Sequence, residues 1–359
     1  ACRALGLAKT RGGKTAILRR IFERCYLSGW HVVWLTDIKD EMKSSVYPQS
    51  KKYRKYLHKE DIPQGIPVET LRPIFFTKFL NEKLPEGNTS YSISYNSITL
   101  SELLIALGIN RESQQELANT VSLYYDMVDS LDALKTRIND DIRIPKGIKR
   151  ILSTRIEILM KYEIFSEENS IDIIESLKGK PVSINMNKYR NVGISDIGTA
   201  PMLYVKIIQR LIREAKEKEI LKGKILQIID EAPAFLEKGT ISYDEIQKVI
   251  AQDAYLGIYV FLATQFLTDV PDFVLAQSRY VIFNHNLPYD DVKRILKEKA
   301  RLYSWHPSQV EERMLELQYL RVDKSGWRHW VLYDDFDDEF RGIIFKPFMS
   351  VSLHEETRQ

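Results

Sequence analysis

The sequence predicts an α/β fold in which a mostly parallel central sheet is covered by helices. Three observations support this prediction. A phosphate-binding loop at residues 8–15 lies between a short apolar stretch and an amphipathic one. Several almost continuous apolar runs end in acidic or amide side chains, which is typical of strands buried in a parallel sheet. Across residues 181–283 such runs alternate with amphipathic segments, as strand–helix units require.

Composition narrows the class of protein. The 359 residues can form one large domain with an insertion, or two domains. Hydrophobic residues make up 44% of the chain, charged residues 28%, and the net charge is only +3, so any basic surface for nucleic acid must be local. The two cysteines form neither a disulfide framework nor a metal-binding spacing. The apolar runs are shorter than a membrane span. We therefore expect a cytoplasmic protein without a transmembrane segment.

The phosphate-binding loop departs at one position from the pattern G-x-x-x-x-G-K-[ST], because Ala8 stands where the pattern has glycine. Alanine fits there if its φ is negative. A loop of this kind directs backbone N–H groups and a helix N-terminus at phosphate groups. Lys14 would contact the β and γ phosphates, and Thr15 would bind Mg²⁺. The predicted nucleotide-binding residues are Thr10, Arg11, Gly12, Gly13, Lys14 and Thr15.

Two later apolar runs end in side chains that suit the same site. Residues 225–229 are followed by Asp230, which would hold hydrated Mg²⁺, and by Glu231, which would orient or deprotonate the attacking water. Adjacent carboxylates repel each other unless a cation compensates them, and a metal beside a reacting water would be that cation. Residues 257–263 lead to Gln265, whose amide could sense the γ-phosphate. The predicted catalytic residues are Glu231, Gln265 and Lys14.

Simpler explanations exist for each signal. Asp230 and Glu231 could cap a helix, and Gln265 could belong to an ordinary turn. Residues 42–59 are basic and interleaved with tyrosines, which would suit stacking on bases and contacts to phosphates. The alternative for this segment, a solvated surface loop, is favoured because charge runs are usually exposed. The order of the three motifs and their positions at strand ends favour nucleotide binding and hydrolysis.

The sequence resembles the HerA and FtsK class of P-loop ATPases, which includes coupling-protein and secretion ATPases of conjugation and viral genome-packaging ATPases. Thr10-Arg11-Gly12-Gly13-Lys14-Thr15 is similar to the T-R-x-G-K form of the coupling-protein branch. Asp37-Ile38-Lys39-Asp40-Glu41 resembles the D-P-K-G-E that ends the second strand in this class. Residues 230–232, 263–265 and 274–279 follow in the family order. The resemblance adds a second tier of site residues, namely Asp37, Lys39, Glu41 and Arg279.

The resemblance implies a RecA-like ATPase core with Mg²⁺-ATP bound between neighbouring chains of a homo-hexamer. In this class hydrolysis drives double-stranded DNA through a central channel, and capsid or membrane-channel proteins are further partners. We expect residues 1–60 to form the first part of this core. A mainly helical insertion would span residues 61–178, and the second part, with a C-terminal β-hairpin, residues 179–359. Within the insertion, Thr99 and Glu102 predict a capping box, residues 112–138 predict one amphipathic stretch, and residues 74–76 predict a short β piece.

Two departures from the class matter. The chain lacks the N-terminal barrel domain of cellular HerA, which suggests a reduced motor from a virus or plasmid. Residues 252–257 stand where the class often has E-G-R-K-F-G, so that arginine is missing. An arginine from one subunit normally completes its neighbour's site, and the candidates here are Arg279, Arg301 and Arg321.

The sequence therefore predicts an ATP-hydrolysing DNA translocase for genome packaging or DNA transfer. The alternative is a nucleotide-binding assembly protein with little turnover and no translocation, which the altered loop and the missing arginine favour. A small-molecule kinase fits less well, because Asp230, Glu231 and Gln265 suit water as the nucleophile better than a substrate hydroxyl.

Overall fold

A central sheet organises the structure, which is a computed structural model. It describes residues 3–8, 13–192, 197–236, 243–251, 253–284, 287–302, 330–334 and 343–345, together with residues 308, 309, 312 and 352. Among these residues the sheet has ten strands: β1 (Arg3–Leu7), β2 (His31–Asp37), β3 (Glu69–Pro73), β4 (Thr89–Tyr91), β5 (Val182–Asn185), β6 (Ile225–Ile229), β7 (Ile258–Thr264), β8 (Tyr280–Asn284), β9 (Trp330–Asp334) and β10 (Ile343–Phe345).

The strand order is β10-β9-β8-β1-β7-β6-β2-β5-β3-β4. All pairs from β8 to β4 are parallel, whereas β9 pairs antiparallel with both β8 and β10. The carboxyl ends of the parallel strands therefore lie at one edge of the sheet. Because β1, β7, β6 and β2 are adjacent, the segments that follow these four strands are neighbours at that edge.

Thirteen helices connect and cover the strands of the described chain. They are α1 (Lys14–Leu27), α2 (Ile74–Leu80), α3 (Leu100–Ala106), α4 (Gln115–Tyr125), α5 (Leu131–Asp140), α6 (Lys146–Lys161), α7 (Ile173–Gly179), α8 (Tyr189–Val192), α9 (Ala200–Glu217), α10 (Pro233–Leu236), α11 (Tyr243–Ala251), α12 (Asp272–Gln277) and α13 (Tyr289–Leu302). No helix in the described ranges is long and apolar enough to cross a membrane.

The central strands are apolar along their length because both faces of the sheet are covered. On one face, Leu18 and Phe22 of α1 pack against Trp34 of β2, with the two aromatic rings 6.2 Å apart. On the other face, Tyr204 of α9 belongs to the larger core and lies 4.9 Å from the ring of Phe75. Each face thus buries the apolar side of a long amphipathic helix.

The chain between β2 and β5 has two parts. The strands β3 and β4 extend the central sheet beyond β5, whereas α3 to α6 form a helical segment outside it. The predicted capping box is present, because Glu102 N–H donates to Thr99 Oγ1 and Thr99 N–H donates to the Glu102 carboxylate. The boundaries proposed at residues 60/61 and 178/179 stay a prediction, and β3 and β4 show that the segment between them is not only helical.

Other local predictions need correction. Residues 74–76 begin helix α2 instead of forming a β piece, because Pro73 stands at the N-cap with a φ of −57° and starts the helix. Residues 112–138 contain two helices, α4 and α5, since the Ser130 side chain caps a new helix by accepting the Ala133 N–H. The sequence also predicts a hairpin turn at Lys324-Ser325-Gly326, and these residues lie outside the described part of the chain. The strands β9 and β10, which follow them, pair antiparallel.

The basic segment at residues 42–59 folds as two short 3₁₀ helices, Met42–Val46 and Lys51–Tyr56. Lys51, Arg54 and Lys59 are exposed. The exposure of these three cations fits both interpretations of the segment, a solvated surface and a nucleic-acid contact.

Candidate functional site

Four side chains from three separate segments meet at the carboxyl edge of the sheet. Lys14 Nζ lies 2.5 Å from Asp230 Oδ1 and 2.9 Å from Glu231 Oε1. Gln265 Nε2 donates to the same Glu231 oxygen at 2.6 Å. The three predicted catalytic residues and Asp230 thus form one hydrogen-bonded cluster, although Lys14 is separated from Glu231 by 217 residues of sequence. Their assigned roles stay predictions.

The sheet brings this cluster together because β1, β7 and β6 are consecutive strands. Lys14 begins α1 after the loop that follows β1, Glu231 follows β6, and Gln265 follows β7. Gly6 permits close packing within this group, since a Cβ at that position would meet Phe261 Cε1 of β7 at 2.6 Å. The strand that leads into the phosphate loop is therefore packed directly against the strand that leads to Gln265.

The described ends of the phosphate loop fit an anion site. Ala8 does not have a positive φ, so the condition under which alanine can replace glycine at this position is met. Its N–H donates to Thr264 O at 3.2 Å. Gly13 has a φ of +86° at the N-cap of α1, a conformation that favours glycine. The first turn of α1 contains no acidic residue, so its N-terminal N–H groups can face phosphate. Thr15 lies in this turn, whereas Thr10, Arg11 and Gly12 lie outside the described residues.

Backbone contacts anchor the two carboxylates. Asp230 N–H donates to Thr36 Oγ1 at 2.7 Å, and Thr36 Oγ1–H donates to Asp230 O at 2.8 Å. Glu231 N–H donates to Asp230 Oδ1 at 2.9 Å. Glu231 itself has a φ of +51°, a left-handed conformation that costs a non-glycine residue about 1–2 kcal/mol. Such strain is often found at functional sites, and here it turns the Glu231 side chain towards Lys14 and Gln265.

The charges of Lys14, Asp230 and Glu231 shift one another's pKa values. Burial lowers the pKa of Lys14, but the charges of Asp230 and Glu231 outweigh this effect and raise it. Burial raises the pKa of Asp230 even though Lys14 opposes the shift. Burial alone would raise the pKa of Glu231, but the charge of Lys14 and the Gln265 hydrogen bond lower this pKa overall. Lys14 is thus charged and serves as the counter-ion of a carboxylate pair.

The residues that could hold Mg²⁺ are the Thr15 hydroxyl and the Asp230 carboxylate. Oxygen ligands of this kind suit Mg²⁺, which usually binds one or two protein groups together with substrate phosphates. The described residues contain no group of three or more His, Cys, Asp or Glu side chains that would hold a metal by itself.

The second-tier residues Asp37, Lys39 and Glu41 lie at the end of β2 and make local contacts, and their part in the site stays a prediction. Asp37 is buried, and its carboxylate accepts N–H groups from Glu41 at 3.1 Å and Met42 at 3.0 Å. Burial raises the pKa of Asp37 to about 7, against these hydrogen bonds, and the negative charges of Glu41 and Asp40 add to the rise. Lys39 is 52% exposed, with its Nζ 3.6 Å from Glu41 Oε1. Asp37 therefore shapes the turn after β2 and does not contact the Lys14 cluster through any hydrogen bond of the described chain.

Arg279 lies at the opposite edge of the sheet, because it precedes β8 and its guanidinium lies 4.8 Å from the Tyr280 ring centroid. Ala254 stands where the HerA and FtsK class often has an arginine. It also lies at the amino edge of the sheet, because it precedes β7. Neither position adjoins the Lys14 cluster of the same chain. A role for Arg279 at a neighbouring chain's site stays a prediction.

Sequence reasoning missed two residues at the site. Thr36 ends the apolar run of β2, and its polar side chain at a buried strand end was a usable signal. Arg190, on α8, is close enough to Glu231 for its charge to lower the pKa of that carboxyl, after the larger effects of burial, Lys14 and Gln265. No motif marks Arg190 in the sequence.

Comparison with solved structures gives neighbours over nearly the whole chain. VirB4 of Thermoanaerobacter pseudethanolicus has a TM-score of 0.58 and 11% identity, covering 97% of this chain and 88% of that chain. The plasmid coupling protein TrwB, in complex with a non-hydrolysable ATP analogue, has a TM-score of 0.47 and 13% identity, with coverages of 97% and 82%. The genome packaging NTPase B204 from Sulfolobus turreted icosahedral virus 2, in complex with ATP-gammaS, has a TM-score of 0.42 and 11% identity, with coverages of 97% and 98%.

No family model matches the chain, and no curated protein sequence matches it. At 11% identity, the likeness to VirB4 shows a shared fold. The predicted α/β, RecA-like fold with its mostly parallel sheet is confirmed. The predicted resemblance to the HerA and FtsK class is confirmed as well.

Proposed function

We propose that this protein is a Mg²⁺-dependent ATPase that moves double-stranded DNA during packaging or transfer of a viral or plasmid genome. The contact of Lys14 with Asp230 and Glu231, beside Gln265, carries the hydrolytic part of the proposal. A cation at a helix N-terminus, a carboxylate for a metal and a carboxylate for water are the groups that ATP hydrolysis requires. The DNA part rests on the resemblance of the loop at residues 10–15 and of residues 37–41 to the HerA and FtsK class.

The resting contacts suggest how the residues work. Lys14 must leave the two carboxylates to bind the β and γ phosphates, because its ammonium group is occupied by them. Bound Mg²⁺ would then supply the positive charge that offsets the phosphates and Asp230. Glu231 accepts a proton from water as the water oxygen bonds to the γ-phosphorus and the bond to ADP breaks. Gln265 keeps its hydrogen bond to Glu231 and so holds the base at the sheet edge.

Two variants test hydrolysis. We expect Lys14→Ala to abolish nucleotide binding and Glu231→Gln to retain binding while lowering kcat by about 100-fold or more, since proton transfer to the base is lost. Suitable controls are Lys178→Ala and Glu175→Gln, which remove the same residue types from an exposed ion pair on α7. Phosphate release and binding of a fluorescent ATP analogue are the measurements. Normal turnover in both site variants would disprove the ATPase assignment.

The assembly-protein alternative is favoured by Ala254, which leaves the class arginine without a counterpart at that position. The two functions differ in their response to DNA. A translocase hydrolyses ATP faster when double-stranded DNA is added, whereas an assembly protein binds ATP with negligible turnover at every DNA concentration. Measuring wild-type phosphate release against DNA concentration therefore decides between them.

A further inference from the structure

Trp330 lies at the carboxyl edge of the sheet, near the phosphate loop. It is the first residue of β9, and antiparallel pairing places it opposite Asn284, the last residue of β8. β8 is the direct neighbour of β1, the strand that leads into the loop. Trp330 is 1% exposed and belongs to the same apolar cluster as Ala8 and Ile17. A tryptophan more than 300 residues along the chain is therefore part of the packing around the phosphate loop.

The edge of the Trp330 indole that carries the N–H group faces Gly13. A Cβ placed on Gly13 would lie 3.9 Å from Trp330 Cζ2 and 4.0 Å from Trp330 Nε1. Both atoms are bonded to the same ring carbon, Cε2, so the N–H side of the ring is the side next to Gly13. Gly13 is the N-cap of α1, where backbone N–H groups can face phosphate. The indole N–H group is therefore adjacent to the predicted anion site.

This N–H group has no hydrogen-bond acceptor within the described part of the chain. Trp34, the other deeply buried tryptophan among these residues, does have one, because its Nε1 donates to Thr36 O at 3.3 Å. Buried donors in folded proteins are nearly always hydrogen-bonded, since a donor that loses water without gaining a partner destabilises the fold. The acceptor for Trp330 is therefore expected from a molecule that enters the site.

The surroundings of Trp330 favour an anionic acceptor. The indole N–H group can only donate, so it suits oxygens that only accept. The first turn of α1 contains no acidic residue, and the helix dipole adds positive potential at this end. Lys14, which directly follows Gly13, contributes a positive charge. Phosphate oxygens fit these conditions better than the nitrogens of a base, because the loop beside Trp330 is the part of the site that binds phosphates.

We propose that Trp330 Nε1–H donates a hydrogen bond to a phosphate oxygen of the nucleotide bound at the N-terminus of α1. This inference rests on the proposed ATPase function, because it adds a binding residue to the same nucleotide site. It assigns that residue to β9, outside the loop from which the other phosphate contacts come. Hydrogen bonds to charged groups are the strong ones, so Trp330 contributes to the affinity for every ligand with a polyphosphate group.

The first test measures affinity without turnover. Trp330→Phe keeps an apolar ring and removes the N–H group. Displacement of a fluorescent ATP analogue should show that inorganic tripolyphosphate and ATP-gammaS, each with Mg²⁺, bind about tenfold more weakly or worse. Trp30→Phe is the matched control, because Trp30 packs against Tyr259 at the opposite edge of the sheet, with the ring centroids 5.0 Å apart. Unchanged tripolyphosphate affinity in folded Trp330→Phe would overturn the proposal and leave the indole a packing group that bonds to water.

The second test observes the hydrogen bond in the wild-type protein. In protein labelled with ¹⁵N at the indole nitrogens, the signal that is absent from Trp330→Phe belongs to Trp330. Its proton resonance should move downfield when tripolyphosphate is added, whereas the Trp30 resonance should stay in place. If Trp330→Phe does not fold, Trp→Phe variants at the other four tryptophans assign the Trp330 signal by elimination. A Trp330 resonance that does not move at saturating tripolyphosphate would overturn the proposal.

The inference and the ATPase function can fail separately. A protein that shows the tripolyphosphate-dependent shift at Trp330 but no ATP hydrolysis would support the inference and reject the ATPase function alone. A protein that hydrolyses ATP, with neither a shift at Trp330 nor a loss of affinity in Trp330→Phe, would reject the inference alone.

Discussion

At the scale of single residues, Asp37 shows how an acidic motif can be part of the scaffold. Asp37 is the last residue of β2, at the edge where the strands of a parallel sheet usually meet ligands. In the structure its carboxylate accepts two backbone N–H groups and the Ser183 hydroxyl, at 3.3 Å, and is buried. A carboxylate buried among other acids binds its proton more tightly than in the unfolded chain, and this has a consequence for stability.

We predict that Asp37 makes the protein less stable as pH rises. Its pKa is about 7 in the folded chain, against an ordinary value of 3.8, so the folded state binds more protons between these values. The free energy of unfolding should fall across this range by up to about 1.4 kcal/mol per pH unit, and most of this slope should vanish in Asp37→Asn. Urea unfolding at pH 5 and pH 8 measures the effect. The same pH dependence in both proteins would contradict it.

At the scale of elements, an ion pair joins α3 of the helical segment to α9, beside apolar contacts of α3 with the core. Arg210 of α9 donates from Nε to Glu102 Oε1 at 2.7 Å and from Nη2 to Glu102 Oε2 at 2.9 Å. Glu102 is 1% exposed and also closes the capping box with Thr99. The Glu102 carboxylate therefore accepts hydrogen bonds from Thr99 at the start of α3 and from Arg210 of α9. Arg210 contributes more to stability than Thr99, because Arg210 also neutralises the buried charge of Glu102.

We therefore predict different losses in the free energy of unfolding for substitutions of these two residues. Thr99→Ala should lower the free energy of unfolding by about 1 kcal/mol, because one cap hydrogen bond is lost. Arg210→Ala should lower it by about 3 kcal/mol or more, because Glu102 would remain buried without its cation. Thr154→Ala is the control, since Thr154 is an exposed residue that bonds only within α6. Urea denaturation gives all three values, and equal effects of Thr99→Ala and Thr154→Ala would disprove the prediction for the cap.

Elements with local chemistry could be predicted from the sequence, whereas long-range contacts could not. The capping box lies within four residues, and each strand end carries its own polar signal. The apolar residues 74–76 suit strand and helix equally, so the neighbouring Pro73 decided the outcome. Thr36 and Asp230 are 194 residues apart, and only the packing of β2 against β6 brings them together. Arg190 depends in the same way on the contact between α8 and α10.

At the scale of the whole molecule, the two edges of the sheet have different parts in the proposed assembly. The carboxyl edge carries the Lys14 cluster, and the amino edge carries Arg279 and the turn around Ala254. If nucleotide binds between neighbouring chains of a ring, a residue remote from its own chain's site could take part in hydrolysis only through a neighbouring chain's site. Arg279 lies at such a remote position, and its role at a neighbouring site stays a prediction.

The resemblance to the HerA and FtsK class predicts a homo-hexamer, and we expect its assembly to depend on nucleotide. In Glu231→Gln, ATP and Mg²⁺ bind without being consumed, so the nucleotide should stay between neighbouring chains and stabilise the ring by mass action. Light scattering should then give the mass of a hexamer for Glu231→Gln with Mg²⁺-ATP, and a lower mean mass after ATP is removed. Lys14→Ala, which lacks the phosphate-binding cation, should show no change on adding ATP. If Glu231→Gln stays a single chain at saturating Mg²⁺-ATP, the nucleotide does not lie between subunits and the ring proposal fails.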